Sequence, residues 1–212
     1  MTQLTNHHSK LFQTMEDRHS VKQYEKGFDI SEQEKKQMLT AATLAPSAWN
    51  LQHWKFLVIE AEEKKEQLLP IAYNQSQVVE SSFTVAVLGD LEANKNAEAV
   101  YQTAVENRLM PEEVKNTLVG QINGAYERGG TFARDAAFLN ASLAAMNIML
   151  AAKGLGYDTC PIGGFNGAEF VKAFHVPERY VPVMLITVGK AAKPAYPSSR
   201  FSLEDVVVKN SF

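Results

Sequence analysis

Cysteine is almost absent from this sequence, since Cys160 is the single one among 212 residues. One thiol excludes an internal disulfide and is too few for a cysteine-built zinc or iron–sulfur site. His53 and His175 are not spaced as paired ligands, so the sequence predicts no metal site. We therefore expect a reducing, cytoplasmic setting, in which Cys160 is more simply a buried side chain than a redox-active thiol.

An excess of positive charge is also lacking, because 21 basic residues face 24 acidic ones and the formal net charge is -3. Such a balance provides no basic surface to attract nucleic acid or an anionic membrane. Residues 132–153 are the only apolar stretch long enough to span a membrane, and Arg134 and Asp135 within it make a membrane helix a poor interpretation. Residues 1–10 are polar and lack the apolar run of a secretory signal. We expect the partner to be a small molecule, with neither nucleic acid nor membrane involved.

No repeat, low-complexity tract or proline- and glycine-rich linker divides the chain, so we expect one domain over residues 1–212, with residues 1–8 flexible. Helical spacing of apolar residues predicts helices over 9–16, from Ser31 to about Pro46, and over 62–71, 94–108, 112–128 and 132–153. Runs rich in aromatic and β-branched residues predict strands over 54–59, 83–88 and 181–188. This irregular order lacks the alternation of a doubly wound fold and predicts the α+β class.

The final residues, 190–212, form an extension that contains the apolar triplet Val206–Val208. Such a triplet could complete a sheet edge in a partner subunit, or it could be an edge strand of its own subunit. Sequence spacing alone leaves both alternatives open.

A compact basic cluster, Arg18, His19, Ser20 and Lys22, follows the first predicted helix. A guanidinium can bind a phosphate with two hydrogen bonds, a hydroxyl can donate a third, and an ammonium supplies a movable point charge. The cluster therefore suits an anion, although a solvated basic turn is the commoner origin of such a composition.

A second cluster, Ala45–Trp54, combines turn residues with amides and indoles. Asn50 and Gln52 offer donors and acceptors to the edge of a heterocycle, and Trp49 could cover its face or line a pocket. The alternative is a loop anchored by two tryptophans.

A third segment, Cys160–Phe165, contains the neighbouring residues Gly163 and Gly164. Paired glycines allow a backbone to approach a ligand without an intervening Cβ, and their N–H groups could hydrogen-bond a ring nitrogen. The segment does not match a dinucleotide fingerprint. A glycine turn with no ligand is the alternative.

Together these segments resemble the nitroreductase family over most of the chain, from Met15 to about Val208. The resemblance rests on the whole set of motifs and on no single one. That set is Arg18-His19-Ser20-x-Lys22, Pro46-Ser47-Ala48-x-Asn50-x-Gln52-x-Trp54, Pro161-Ile162-Gly163-Gly164-Phe165 and Ser199-Arg200.

The resemblance implies a nitroreductase-like fold, with a central, mainly antiparallel sheet flanked by helices, and a homodimer with two FMN molecules at its interface. Residues 190–212 would wrap the partner subunit. The implied phosphate site consists of Arg18, Ser20 and Arg200, with His19 and Ser199 beside them and Lys22 near the pyrimidine side of the flavin. The other implied cofactor-binding residues are Pro46, Ser47, Ala48 and Asn50 from the second chain, together with Gln52, Asn74, Gln77, Pro161, Ile162, Gly163 and Gly164.

The activity implied is hydride transfer from NAD(P)H through FMN to a small electron-poor acceptor, such as a nitroaromatic or a quinone, with ping-pong kinetics. No catalytic side-chain acid or nucleophile is required, because the flavin carries the chemistry. A backbone N–H of Gly163 or Gly164 would point at flavin N5, and Lys22 would stabilise negative charge on the reduced ring. Trp49 and residues 94–128 would shape the acceptor pocket.

This chain departs from some relatives at three positions, since Gly163 replaces a glutamate and Gln77 and Ser198 each replace a lysine. The last two changes remove positive charge near the flavin. Two other functions remain open: a flavin carrier or redox-sensing module without efficient NAD(P)H turnover, and an enzyme of the same fold that uses oxygen to modify the flavin.

Overall fold

A computed structural model describes residues 9–212 as a four-stranded antiparallel sheet with helices on both faces. The helices are α1 (Lys10–Asp17), α2 (Glu32–Thr43), α3 (Glu62–Ile71), α4 (Gln77–Glu80), α5 (Ala97–Glu106), α6 (Glu112–Glu127), α7 (Phe132–Gly154), α8 (Gly167–Ala173) and α9 (Leu203–Val206). The strands are β1 (Trp54–Ile59), β2 (Phe83–Asp90), β3 (Asp158–Ile162) and β4 (Tyr180–Gly189), in the order β1-β2-β4-β3. The predicted α+β class is confirmed, whereas the flexibility expected of residues 1–8 lies outside the described residues.

The central strand β2 is buried along its whole length because helices cover both faces of the sheet. Successive side chains of a strand point to opposite faces, and here both sets are mostly apolar, apart from the buried Thr84 and Asp90. Val85 and Val87 pack on the side of α2 and α7, whereas Ala86 and Leu88 pack on the side of α3 and α8. The molecule therefore has three layers, with one hydrophobic cluster on each side of the sheet.

Helix α7 lies on the sheet through a row of small side chains, including Ala141, Ala144 and Ala145, all fully buried. The approach is so close that a Cβ on Gly89 of β2 would lie 2.9 Å from the Cβ of Ala137. Within the described chain, α7 is also the one helix long and apolar enough to cross a membrane, a property that core helices of globular proteins share. Its packing on the sheet is that of a core helix.

The opposite side of α7 carries a row of exposed apolar side chains, which we call the α7 stripe. Leu139, Leu143 and Met146 are 66%, 41% and 37% exposed. Their i, i+4, i+7 spacing places them on one face of the helix.

The structure corrects the sequence-based expectations in three places. Asp158–Ile162 is a strand, where only a glycine turn was expected, and the short helices α4 and α8 were not predicted. Val206–Val208 is not an edge strand of its own subunit, because Val206 ends helix α9 and the two following valines are exposed. Helix α9 begins in a capping box between Ser202 and Asp205, which fixes a helical turn here.

Candidate active site

The basic cluster lies along the outer edge of β3. Ser20 forms a parallel bridge with Thr159, and the Val21 amide donates to the Thr159 carbonyl at 3.0 Å. The Val21 side chain is buried, so the alternation of an extended chain turns Ser20 and Lys22 outward, where both are exposed. Arg18 precedes this segment and is partly exposed.

The two cations of this cluster lack a carboxylate partner in the described part of the chain. Within residues 9–212, neither Arg18 nor Lys22 forms a salt bridge. Burial raises the pKa of the Cys160 thiol, and the positive charges of Lys22 and Arg18 oppose that rise, so both lie near β3. Uncompensated cations on a partly exposed edge favour the binding of an anion.

Strand β3 ends in an open rim formed by Gly163 and Gly164. The preceding Ile162 side chain belongs to the core, so that residue can meet a ligand only through its backbone. Both glycines are exposed, neither has a positive φ, and no atom lies within 4 Å of the Cβ position of either. The Gln75 side-chain amide donates to the Gly164 carbonyl at 3.0 Å and fixes the rim. The space beside these glycines is therefore accessible to a planar molecule.

Asn74 and Gln77 lie next to this rim but differ in exposure. Asn74 is exposed, with φ of 57°. Gln77 is only 4% exposed; its side-chain amide donates to Gln75 at 3.1 Å, and it also contacts the Cys160 thiol. The rim, the basic cluster and residues 74–77 thus come together in one protomer.

The segment Pro46–Gln52 is held in a strained turn before β1. Trp49, Asn50 and Gln52 have φ values of 53°, 55° and 53°, a left-handed conformation that tryptophan and glutamine rarely adopt and that asparagine adopts more readily. The Ala48 amide donates to the Asn140 side chain at 2.8 Å, and the Gln52 amide donates to the Ser47 hydroxyl at 3.0 Å. Backbone strain of this kind, of the order of 1–3 kcal/mol per residue, is concentrated at functional sites.

This turn and the basic cluster lie at opposite edges of the sheet. The turn precedes β1, the basic cluster borders β3, and β2 and β4 lie between the two edge strands. With strands about 4.8 Å apart, the two edges are separated by roughly 14 Å. One protomer therefore does not bring its two sets of predicted cofactor contacts together.

Trp49 belongs to an aromatic group that we call the aromatic wall. Its ring centroid lies 6.5 Å from that of Phe132, which in turn contacts Tyr126 edge-on at 5.4 Å. Trp49 and Phe132 are 38% and 36% exposed, whereas burial raises the pKa of Tyr126 to about 12. Tyr126 lies within residues 94–128, which the resemblance assigned to the pocket, whereas Phe132 was not predicted because nothing in the sequence of α7 distinguishes it from a core residue.

Ser199 and Arg200 lie on the exposed C-terminal extension. The extension starts beside the basic cluster, since the Ala192 amide donates to the Gln23 carbonyl at 2.9 Å in an antiparallel arrangement. The extension then passes Lys22, since Lys22, Gln23 and residues 193–196 line one cavity. The Arg200 guanidinium donates to the Ser199 carbonyl at 2.7 Å and is otherwise exposed. The described chain therefore does not join Arg200 to Arg18.

Cys160 and His53 are both buried side chains. Cys160 is 3% exposed, and His53 is fully buried, with both ring nitrogens lacking a partner in the described chain. Over residues 9–212 no group of three histidine, cysteine or carboxylate side chains could hold a metal ion. Cys160 has the buried position expected of it.

Known proteins resemble this chain in sequence. Residues 15–190 match the model of the nitroreductase family. The "Putative NAD(P)H nitroreductase YodC" of Bacillus subtilis is 58% identical over 189 residues, which are 89% of this chain and 93% of that protein.

Two solved structures share the fold over nearly their whole length. A crystal structure of a "putative nitroreductase in complex with FMN" from Exiguobacterium sibiricum has a TM-score of 0.87 and 41% identity, covering 98% of this chain and 99% of the other. A "putative NAD(P)H:FMN oxidoreductase" from Staphylococcus epidermidis has a TM-score of 0.89 and 35% identity, with the same coverage. On sequence and fold alike, the chain belongs to the nitroreductase family.

Proposed function

We propose that this protein is an FMN-dependent NAD(P)H oxidoreductase that acts as a homodimer on small electron-poor acceptors. The observation that carries the proposal is that Arg18 and Lys22, which form no salt bridge within residues 9–212, lie beside the open rim of Gly163 and Gly164. A phosphate at one end of a planar ring system matches that combination. FMN has this shape, and the Exiguobacterium sibiricum relative was solved in complex with it.

The phosphate would be held by the exposed side of the basic cluster. Arg18 can donate two hydrogen bonds, and the outward-facing Ser20 hydroxyl can donate another, with His19 beside them. The extension starts beside the segment that contains Lys22. Arg200, which follows Ser199 on that extension, would therefore approach the phosphate from the side of Lys22. Lys22 would lie nearer the ring, where its charge stabilises negative charge that develops on reduction.

The ring would lie along the rim at the end of β3, against Pro161–Gly164. Backbone N–H groups of Gly163 or Gly164 would donate to flavin N5, and the absence of a Cβ lets the ring approach them. Asn74 is exposed and can reach the ring edge, whereas the buried Gln77 supports the rim from below through Gln75. When bound, FMN accepts hydride from NAD(P)H and passes electrons to the acceptor.

A second protomer would supply the other half of the site. Pro46, Ser47, Ala48, Asn50 and Gln52 lie across the sheet from the basic cluster, so a partner subunit must contribute them. Two exposed apolar surfaces favour such a dimer, namely the α7 stripe and the extension, in which Phe201 is 80% and Val206 61% exposed. We propose that residues 1–212 act as one domain, whose residues 190–212 wrap the partner.

The acceptor would bind against the aromatic wall. Trp49 and Phe132 present partly exposed rings next to the proposed flavin contacts, and flat electron-poor molecules such as quinones and nitroaromatics stack on such rings. The nicotinamide and the acceptor would use the same open face in turn, which predicts ping-pong kinetics. A nicotinamide donor also fits a cytoplasmic protein.

The proposal is tested by FMN titration of the purified protein, followed by anaerobic addition of NADH or NADPH and then an acceptor panel. We expect saturable FMN binding, bleaching of the bound flavin, and return of colour with quinone or nitroaromatic acceptors. A protein that binds no FMN would overturn the proposal. Bound flavin that stays oxidised under excess NAD(P)H would favour the carrier, and fragmented flavin after aerobic turnover would favour the oxygen-using enzyme.

A further inference from the structure

The strained turn before β1 is clamped by two side chains from the helical segment that contains α5. The Tyr101 hydroxyl donates to the Trp49 carbonyl at 3.1 Å, and the Asn96 side-chain amide donates to the Leu51 carbonyl at 2.8 Å. These two carbonyls flank Asn50. The backbone on both sides of Asn50 is therefore fixed by hydrogen bonds from outside the turn.

The orientation of Asn96 is itself determined by a partly buried ion pair. Arg179 binds the carboxylate of Asp90 with two hydrogen bonds of 2.8 and 2.6 Å, and Asp90 is 3% exposed. The same guanidinium donates to the Asn96 side-chain oxygen at 2.9 Å. Because a guanidinium only donates, the Asn96 oxygen must face Arg179, and its NH2 group is left to face Leu51.

Asn96 and Tyr101, which we call the clamp, belong to a well-packed part of the structure. Leu51 is fully buried in a cluster with Ala93, Ala97 and Ile122, which belong to the segment around α5 and α6. These two helices are tied by the buried Lys115, whose ammonium lies 2.6 Å from Glu98. The turn and its clamp are thus built to keep one shape.

We propose that Asn96 and Tyr101 are positioning residues that hold Trp49 and Asn50 in the left-handed conformation needed by the flavin site of the partner subunit. The inference rests on the proposed function. Neither side chain needs to touch the flavin, since each acts through a backbone carbonyl of the turn. Without these two hydrogen bonds, the strained turn relaxes into other conformations. The apparent affinity for FMN then falls in proportion to the fraction of molecules whose turn keeps the binding conformation.

Two conservative variants and one matched control test the clamp. Tyr101→Phe removes one hydroxyl, and Asn96→Asp keeps the acceptor for Arg179 but replaces the donor to Leu51. We expect each variant to bind FMN roughly 2- to 12-fold more weakly, as the loss of one partly exposed hydrogen bond predicts. Tyr157→Phe removes a hydroxyl bonded at 2.9 Å to Glu34, away from the turn, and should leave FMN affinity unchanged.

Mixed dimers show in which subunit the clamp acts. Two differently tagged chains, one carrying Arg18→Ala and the other Asn96→Asp, are co-expressed and the heterodimer is isolated by both tags. If the clamp acts on the partner's site, one site carries both defects and the other carries none. FMN titration should then show half of the sites with wild-type affinity.

Two outcomes overturn the inference. If no wild-type site appears in the mixed dimer, the clamp acts within its own subunit. If Asn96→Asp and Tyr101→Phe bind FMN as the wild type does, the clamp does not position the turn, while the proposed function stands. Failure of the wild-type protein to bind FMN removes the proposed function instead. Should Asn96→Asp not fold, Tyr101→Phe paired with Arg18→Ala carries the same test.

Discussion

Arg18 is the residue whose removal tests the proposed phosphate site most selectively. Its guanidinium is partly exposed and has no salt bridge within residues 9–212, so Arg18→Ala breaks no visible ion pair in the fold. Hydrogen bonds to a charged group contribute about 1.5–3 kcal/mol. At about 1.4 kcal/mol per factor of ten, the Kd for FMN should rise by about 12- to 140-fold.

The phosphate-free flavin, riboflavin, provides the internal control. Its Kd should be almost the same for the wild type and for Arg18→Ala, because the lost interaction needs the phosphate. Quenching of flavin fluorescence measures all four affinities, and Arg128→Ala, on the exposed end of α6, is the matched arginine control. Equal weakening of FMN and riboflavin binding would refute a phosphate role for Arg18, as would no change in either.

Three further predictions concern burial and the dimer. Burial lowers the pKa of His53 in the folded protein, so on acidification the unfolded chain binds a proton before the folded chain does. The free energy of unfolding should therefore fall by up to about 1.4 kcal/mol per pH unit below about pH 6.5. Urea unfolding at several pH values should show that His53→Leu loses this dependence of the free energy of unfolding on pH. An unchanged dependence would contradict the assignment of the effect to His53. Cys160, buried and with a raised pKa, should react with iodoacetamide only after unfolding, which mass spectrometry detects; rapid labelling of the native protein would be the opposite result. Leu143→Arg on the α7 stripe, 41% exposed, should yield monomers in sedimentation velocity, whereas Val114→Arg, at 44% exposed on α6, should not.

Much of the fold could be predicted because its main elements have clear local patterns. The bounds of β1 and α3 match the prediction, and α7 differs only by extending to Gly154. Strand β3 was missed because Pro161 interrupts its pattern. A proline is tolerated there because β3 is an edge strand of the described sheet, where a missing N–H need not break a ladder.

The C-terminal triplet shows how a nearby polar signal can outweigh an apolar run. Val206–Val208 has strand composition, yet Ser202 and Asp205 form a capping box that starts α9. The wrapping of the partner by this extension stays a prediction, supported by the exposure of its apolar side chains.

The site was predictable where its residues form short motifs and unpredictable where distant elements meet. Arg18 and Gly163 each stand in a local pattern, and the fold brings their segments to the same strand edge. Asn96 and Tyr101 stand in an ordinary helical pattern, and their relation to Trp49 arises only from the packing of α5 against the turn. Long-range contacts of this kind leave no mark in sequence spacing.

Native mass spectrometry of the FMN-loaded protein tests the shared flavin site most directly. The predicted species contains two chains of 23.5 kDa and two FMN molecules, and Arg18→Ala should lose the FMN before it loses the dimer. A monomer that retains one FMN, or a dimer that stays free of FMN in excess cofactor, would contradict a site completed by two protomers.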